Sequence, residues 1–302
     1  MDRYNKLNNY YKEKFGERVL KICVNAGFTC PNRDGSKGIG GCAFCSEGGS
    51  GEHIKYHNIS EQIINHLNSY RGERANKFIV YFQAFTNTYA SIEKLKEIYN
   101  SAFVSNKIIG ISIATRPDCI DKEIVNLLCD IAKKHYVMVE LGLQTADINI
   151  GQNLNLCYTK HDYVNAVTLL TNCNIDVVTH IMLGLPGETQ DSIDETIDLI
   201  NSYKISGIKI HELYVLKNTK LENLYNAKKY KPLTLDGYLS KLEYVITHIR
   251  PDIIIHRISG DAPKDLLIAP DWNTHKKLVL NGIDKLLRVH NTYQGIYYSS
   301  NN

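Results

Sequence analysis

From Val19 onward, short β-branched runs alternate with stretches whose apolar residues recur at helical spacing, the pattern of successive βα units. Six strands are predicted, over 19–24, 78–82, 108–115, 137–143, 176–183 and 207–215. Helices are predicted between and after them, near 60–70, 91–103, 121–134, 161–172, 192–203 and 235–249. Ser192-Ile193-Asp194-Glu195 fits a capping box, and Ile193, Ile197 and Ile200 then follow on one helical face. A helix-like stretch, Lys276–Val289, lies near the end of the chain. The reading is an N-terminal segment over 1–18, one main α/β domain over 19–258 and a C-terminal extension over 259–302.

Right-handed crossovers would set the six strands parallel, and six such units form an incomplete barrel more readily than a closed eight-stranded one. The expected fold is therefore a partial (β/α)6 TIM-like barrel, with an open flavodoxin-like sheet as the alternative. Strand parity favours the barrel. In the third strand Ile109, Ile111 and Ile113 share one face, with Ser112, Ala114 and Arg116 on the other. In the fourth, Val139, Leu141 and Leu143 oppose Glu140, Gly142 and Gln144, and His180, Lys209 and His211 continue the polar face in the next two strands. A barrel lumen is ordinarily filled by apolar side chains, so a polar lumen implies room for a ligand. Glu140 interrupts the apolar run around it, which points to a site role.

Composition adds few constraints. With 43% hydrophobic and 22% charged residues the chain has material for a large core, and its net charge of +3 argues neither for nor against a polyanionic partner. The first residues form no apolar signal region, and nothing approaches the ~18 consecutive apolar residues of a membrane span. A cytoplasmic protein without membrane contact is expected. Eight cysteines in such a chain read as thiols or metal ligands rather than a disulfide framework.

Three of them cluster after the first strand, in Cys30-Pro-Asn-Arg-Asp-Gly-Ser-Lys-Gly-Ile-Gly-Gly-Cys42-Ala-Phe-Cys45. Cys42 and Cys45 are spaced to bind one centre, and the glycine loop can fold back to deliver Cys30. Structural zinc takes four ligands, whereas a 4Fe-4S cluster held by three cysteines keeps one iron open to an exogenous ligand. Cys23, His53 or His57 would complete a zinc site. Glycines 48, 49 and 51 read as a turn beside the cluster, since no phosphate-loop pattern follows. Cys119, Cys129, Cys157 and Cys173 are scattered and read as buried free thiols.

An aromatic residue just before the last cysteine, here Phe44, resembles the pattern of radical S-adenosylmethionine (SAM) enzymes, with an inner spacing of eleven residues in place of three. Thr115-Arg116-Pro-Asp118-Cys119, Glu140-Leu-Gly142-Leu-Gln144-Thr145, His180-Ile-Met-Leu-Gly184-Leu-Pro-Gly187 and Lys209-Ile-His211-Glu-Leu-Tyr214 follow in order at strand ends. Together they resemble the Elongator-catalytic-subunit-like branch and, more closely, bacterial YhcC/YtqA-type radical SAM proteins, over about 21–263. The resemblance implies a radical SAM barrel, a three-cysteine 4Fe-4S cluster on Cys30, Cys42 and Cys45, and SAM cleaved to a 5′-deoxyadenosyl radical. It implies an electron donor such as flavodoxin or ferredoxin. Phe44 and the backbone from Ile181 to Gly184 would face adenine, Glu140 and Gln144 would lie near the ribose or methionine end, and His180 would be a further cofactor-binding residue. The family's Gly-Gly-Glu after strand two is replaced by a stretch containing Gln83, Thr86 and Asn87, the candidates for the SAM amino group. Arg116 would pair with the SAM carboxylate or a substrate anion, and Arg257 would contact a substrate anion.

By the same resemblance the substrate is tRNA, at the C5 side chain of wobble uridine. The branch's acetyltransferase domain is not expected in a chain of this length, so the implied step is different chemistry, carboxymethylaminomethyluridine to aminomethyluridine. Lys228, Lys229, Tyr230 and Lys231, with Tyr225 and Tyr238, form the candidate RNA-facing edge. A small-molecule substrate such as a porphyrinogen carboxylate, and a non-enzymatic zinc-stabilised RNA-binding protein, are the alternatives.

Overall fold

Each strand of the main sheet lies beside its predecessor. The computed structural model describes residues 2–52, 54, 58–173 and 175–299. It contains β1 (Val19–Val24), β2 (Lys77–Phe82), β3 (Ile108–Thr115), β4 (Tyr136–Gln144), β5 (Asp176–Leu183), β6 (Gly207–Glu212), β7 (Val215–Leu216), β8 (Ile254–Arg257) and β9 (Leu267–Ala269). The helices are α1 (Leu7–Phe15), α2 (Ile59–Leu67), α3 (Ile92–Asn100), α4 (Lys122–Ala132), α5 (Ile148–Asn153), α6 (Lys160–Thr171), α7 (Gln190–Ser202), α8 (Lys220–Asn226), α9 (Leu235–His248) and α10 (Lys276–Val289). The main sheet has the order β1-β2-β3-β4-β5-β6-β8, parallel throughout. A doubly wound sheet reverses strand order at a switch point. No reversal occurs here, so the crossovers stay on one side and the sheet curls into a half-barrel.

The outer face carries the main core. Ile111, Ile113, Val139, Leu141, Val177 and Ile208 alternate outward and pack under the helices with Leu95, Leu128, Tyr163 and Leu242. Four expectations change. The sheet gains a seventh strand, β8, whose four residues are too short for their periodicity to register. The sixth strand stops at Glu212, and β7 leaves to pair antiparallel with β9. Helix α7 begins earlier than its expected cap: Thr189 is the N-cap and Ser192 its capping-box partner, three residues into the motif. Cys129 and Cys173 are not free thiols but a disulfide with Cα atoms 5.9 Å apart, because α4 and α6 pack side by side.

The N-terminal segment supplies α1, which the sequence pattern does not reveal. The Ile255 amide donates to the Asn5 carbonyl at 2.8 Å, so the chain entering α1 runs along the free edge of β8. Tyr11 then inserts between Val19, Ile79, Met138 and Val178, the inward residues at the amino ends of the strands. This apolar plug closes the bottom of the half-barrel. Among the described residues, no helix is long and apolar enough to cross a membrane.

Tyr11 is 2% exposed and its hydroxyl has no hydrogen-bond partner. Tyr11→Ala should cost about 3–5 kcal/mol, as large aromatic truncations in cores do. Tyr11→Phe should leave the denaturation midpoint unchanged or raised, because it removes an unpaired buried polar atom. Equilibrium denaturation checks both; a large loss in Tyr11→Phe would show that the hydroxyl contributes to stability.

Candidate functional site

The carboxyl ends of the strands and the loops after them surround a cavity of about 510 Å³. All three clustered cysteines open onto it: Cys30, Cys42 and Cys45 line one wall. The loop that carries them is fixed from beneath by an apolar cluster of Ala43, Leu154, Leu156, Leu185, Leu213 and Leu221. Ala43 ties it down, its amide donating to Leu154 and its carbonyl accepting from Leu221. Polar neighbours address the sulfurs: Arg33 donates to Cys45 Sγ at 3.2 Å, and Asn32 Nδ2 reaches Cys42 Sγ at 3.5 Å. Burial pushes the Cys42 thiol up to about 12 and also raises Cys45. Among the described residues, no three His, Cys, Asp or Glu side chains gather to hold a single metal ion. Of the extra zinc ligands considered, Cys23 lines the cavity from β1, while His53 and His57 fall outside the described residues.

Phe44 and Gln83 line the cavity as expected, with Gln83 Nε2 donating to the Ser50 carbonyl at 2.7 Å. Gln144 is set by backbone geometry. A bulge between Gly142 and Gln144 breaks the ladder to β5, and Gln144 takes a left-handed φ of 65°. Its side chain thereby enters the cavity, where Oε1 is buried without a hydrogen-bond partner. Gly142 leaves the space: a Cβ there would stand 2.9 Å from Gln144 Nε2. An unpartnered acceptor beside three thiols fits a bound cofactor that donates a hydroxyl.

Several expected roles change. Arg116 lines the cavity, but its guanidinium grips Asp118 through Nε and Nη2 at 2.9 Å each and donates to the carbonyls of Leu156 and Cys157. It fastens the loop before α6 and is not free for an external carboxylate. Ile181 faces the outer core at 2% exposure, and both its neighbours in the ladder engage its backbone. Gly184 is likewise committed, its amide to the Glu188 carboxylate at 3.0 Å and its carbonyl to Tyr230 Oη at 2.8 Å. Met182, one residue from each of Ile181 and Leu183, is the side chain that reaches the cavity. Among the candidates for an amino group, Gln83 and Thr86 line the cavity and Asn87 does not; its side chain donates to Ala114.

Glu140 and His180 belong to the floor rather than to the rim. The Glu140 carboxylate is fully buried and accepts from Lys21 at 2.5 Å, Ser112 at 2.8 Å, His180 Nε2 at 2.8 Å and Lys209. Burial alone would raise its pKa, but Lys209, Lys21 and His180 hold it well below the usual carboxylate range. Burial, reinforced by Lys209, lowers His180 to about 4, so the imidazole is neutral and donates through Nε2. Lys209 falls to about 8, burial outweighing the attraction of Glu140. Lys21 is the member that sequence reasoning missed, although a lysine at the centre of β1 carries the same signal as Glu140 at the centre of β4.

The expected RNA edge is only half present. Lys228, Lys229 and Lys231 are exposed. Tyr230 and Tyr238 are core residues at 8% and 0% exposure, with hydroxyls donating to the carbonyls of Gly184 and Ile258. Their rings cannot serve as a stacking platform, because the chain leaving α8 folds Tyr230 under the β5 turn and Tyr238 lies on the buried face of α9, stacked on Trp272.

A half-barrel that gathers three loop thiols and an unpartnered glutamine over a charged floor is the architecture of a radical SAM enzyme. The family described as the Radical SAM superfamily matches residues 24–200, its C-terminal domain matches 205–288, and the chain belongs to this superfamily. It is 38% identical over 301 residues to the uncharacterized protein YtqA of Bacillus subtilis (strain 168), covering 98% of this chain and 93% of that protein. It is also 26% identical over 183 residues to the tRNA uridine(34) acetyltransferase of Methanocaldococcus jannaschii, covering 59% of this chain and 33% of that protein. Elp3 from Methanocaldococcus infernus superposes with a TM-score of 0.64 at 17% identity, over 91% of this chain and 64% of that one.

Glu140→Gln leaves the buried Lys209 ammonium and the partly buried Lys21 ammonium without a carboxylate. Breaking a buried ion pair from one side typically costs about 3–5 kcal/mol. Thermal and chemical denaturation should show a loss of this size, whereas a near-neutral effect would mean that water screens the floor.

Proposed function

We propose that this enzyme processes the C5 side chain of tRNA wobble uridine, converting carboxymethylaminomethyluridine to aminomethyluridine with the N-carboxymethyl group released as glyoxylate: its CH2 carbon loses a hydrogen atom and then an electron, SAM being the net two-electron oxidant, and water hydrolyses the resulting imine. The observation that carries the substrate is the shared radical domain with a protein named for its action on uridine 34. Cys30, Cys42 and Cys45 would hold a 4Fe-4S cluster through three thiolates, which suits thiols that share a cavity wall without closing on one point. With SAM bound, such a cluster would supply the chemistry of a 5′-deoxyadenosyl radical, drawing an electron from a reductant such as flavodoxin or ferredoxin.

The chain's own residues do the positioning. Arg33 and Asn32 direct N–H groups at two of the sulfurs, stabilising their thiolate character. Phe44 and Met182 offer the apolar surface for a purine, and Gln144 Oε1 accepts from a ribose hydroxyl. Gln83 and Thr86 are the polar groups left for the amino end. The lumen below is walled by the curled sheet and plugged by Tyr11, so a side chain inserted from the mouth meets little bulk water. The nucleotide's phosphates would remain outside, on the lysine edge at 228–231.

Cys30→Ala, Cys42→Ala and Cys45→Ala should each abolish the visible iron-sulfur absorption of anaerobically reconstituted protein, while Cys119→Ser retains it. Retention of full iron by Cys42→Ala would refute the ligand assignment. Mass spectrometry of tRNA nucleosides from cells lacking the gene should show accumulated carboxymethylaminomethyluridine and depleted aminomethyl-derived nucleosides. Unchanged nucleosides together with intact deoxyadenosine formation in vitro would redirect the enzyme to a small-molecule substrate.

A further inference from the structure

The cavity floor carries more positive charge than its own side chains answer. Lys21 and Lys209 take one oxygen each of a single carboxylate, that of Glu140. Among the described residues, the other acids lining the cavity are committed elsewhere. Glu212 binds Ser259, Gly260 and Asn273; Asp261 pairs with Arg257 and Lys276; Glu52 accepts from Ser46. Burial holds the imidazoles of His180, His211 and His256 below their usual pKa, and in either protonation state they bring no negative charge. One unit of positive charge is left uncompensated in a layer whose Glu140 and Lys209 are buried and whose Lys21 is partly so, a costly arrangement unless a counter-ion completes it.

The same layer has unmade hydrogen bonds. Lys209 Nζ contacts Glu140 and Tyr81 Oη, which leaves one of its three N–H groups without a protein acceptor. His211 Nε2 is buried and unpartnered, and His211 stands two residues from Lys209 on the same lumen face of β6. Both observations point to a guest anion. Its charge is limited to one, and its position is deep. Lys21 and Lys209 lie three residues before the carboxyl ends of β1 and β6, about 10 Å below the cysteine-bearing loops at ~3.3 Å per residue. An RNA phosphate held at the mouth does not descend to that level, whereas a side chain projecting from a base does.

We propose that Lys209, Lys21 and His211 form an anion subsite for a carboxylate carried by the substrate. The bound carboxylate accepts the free N–H of Lys209 and the Nε2–H of His211, giving two lysines two carboxylates. Arg257, which also lines the cavity, adds a positive field from β8. This assignment deepens the wobble-uridine reading, whose substrate ends in a carboxymethyl group, by naming the residues that distinguish it from its aminomethyl product.

Acetate is the simplest probe. The melting temperature of cluster-loaded protein is compared in sodium acetate and sodium chloride at equal ionic strength, for wild type, Lys209→Met and Lys21→Met. Each variant retains a balanced lysine–glutamate pair, so both are expected to fold. Wild type should gain a few degrees from acetate over chloride, and both variants should lose that increment; equal increments in all three proteins would overturn the subsite. In a second arm, calorimetry with the free nucleosides should give wild type about tenfold tighter binding of 5-carboxymethylaminomethyluridine than of 5-aminomethyluridine. The preference should vanish in Lys209→Met, and its persistence there would overturn the subsite while leaving the wobble-uridine reading intact. An acetate effect that depends on Lys209 without any nucleoside preference would uphold the subsite and remove the wobble uridine instead.

Discussion

A carboxylate buried at the centre of an open barrel must find its partners across the lumen, and Glu140 finds them on four other strands. Lys21 comes from β1, Ser112 from β3, His180 from β5 and Lys209 from β6. Ions of this kind lose several kcal/mol of hydration each on burial, and the pairing offsets that loss only while the geometry holds. A one-residue slip of any contributing strand would turn its polar member into the helix-facing core and strand Glu140. The charge layer therefore ties the register of the sheet to the existence of the cavity. It also divides the lumen into three levels: an apolar plug around Tyr11, the polar layer, and a thiol-lined chamber above.

An incomplete barrel must also manage its free edges. Here the two terminal segments together cover the one at β8. The N-terminal segment runs along β8, and the C-terminal segment runs along the N-terminal one: the Gln294 amide donates to the Arg3 carbonyl, and Gln294 Oε1 accepts from the Asn5 amide. Gln294 Nε2 reaches the carbonyls of Arg250 and Ile253, just before β8. Backbone groups that an edge strand would leave to solvent are thus satisfied within the chain. Glu212 performs the equivalent task at the rim, where it anchors the turn at Ser259 and Gly260 and keeps Arg257 beside the cavity. The segments outside the repeating βα units are consequently part of what shapes the lumen.

How far the sequence discloses this depends on period. The strands β1, β3 and β5 begin and end where alternation predicts, because each is long and bounded by polar turns. The lumen-facing identities of Glu140, His180, Lys209 and His211 follow from the same period of two. Short elements carry no such signal: β8 has four residues and β7 two, and α1 has polar residues through most of its length with Tyr11 as its only fully buried member. The Cys129–Cys173 pairing is invisible for a different reason, since the packing of α4 against α6 brings together cysteines 44 residues apart. The burial of Tyr230 and Tyr238 is equally hidden, because an aromatic beside lysines looks the same in one dimension whether its ring points outward or under the chain.

The corrections at the site share one physical cause. Arg116 and Gly184 gain an expected ligand contact from their motifs and Asn87 from standing where the family motif is replaced, yet each already has its hydrogen-bonding groups engaged by the chain, wholly or in greater part. Releasing such a group to a ligand exchanges one internal bond for one external bond and gains little. Gln144 Oε1 and His211 Nε2 are different: they are buried, face the cavity and have no partner, so a ligand that satisfies them recovers a desolvation cost already incurred in folding. One lies above the charge layer beside the bulge of β4 and the other within it on β6. A cofactor held by the upper group and a substrate anion held by the lower one would be stacked along a single axis. The curled sheet then serves less as a container than as a ruler, setting through strand rise alone the distance between the thiol-lined rim and the charged floor.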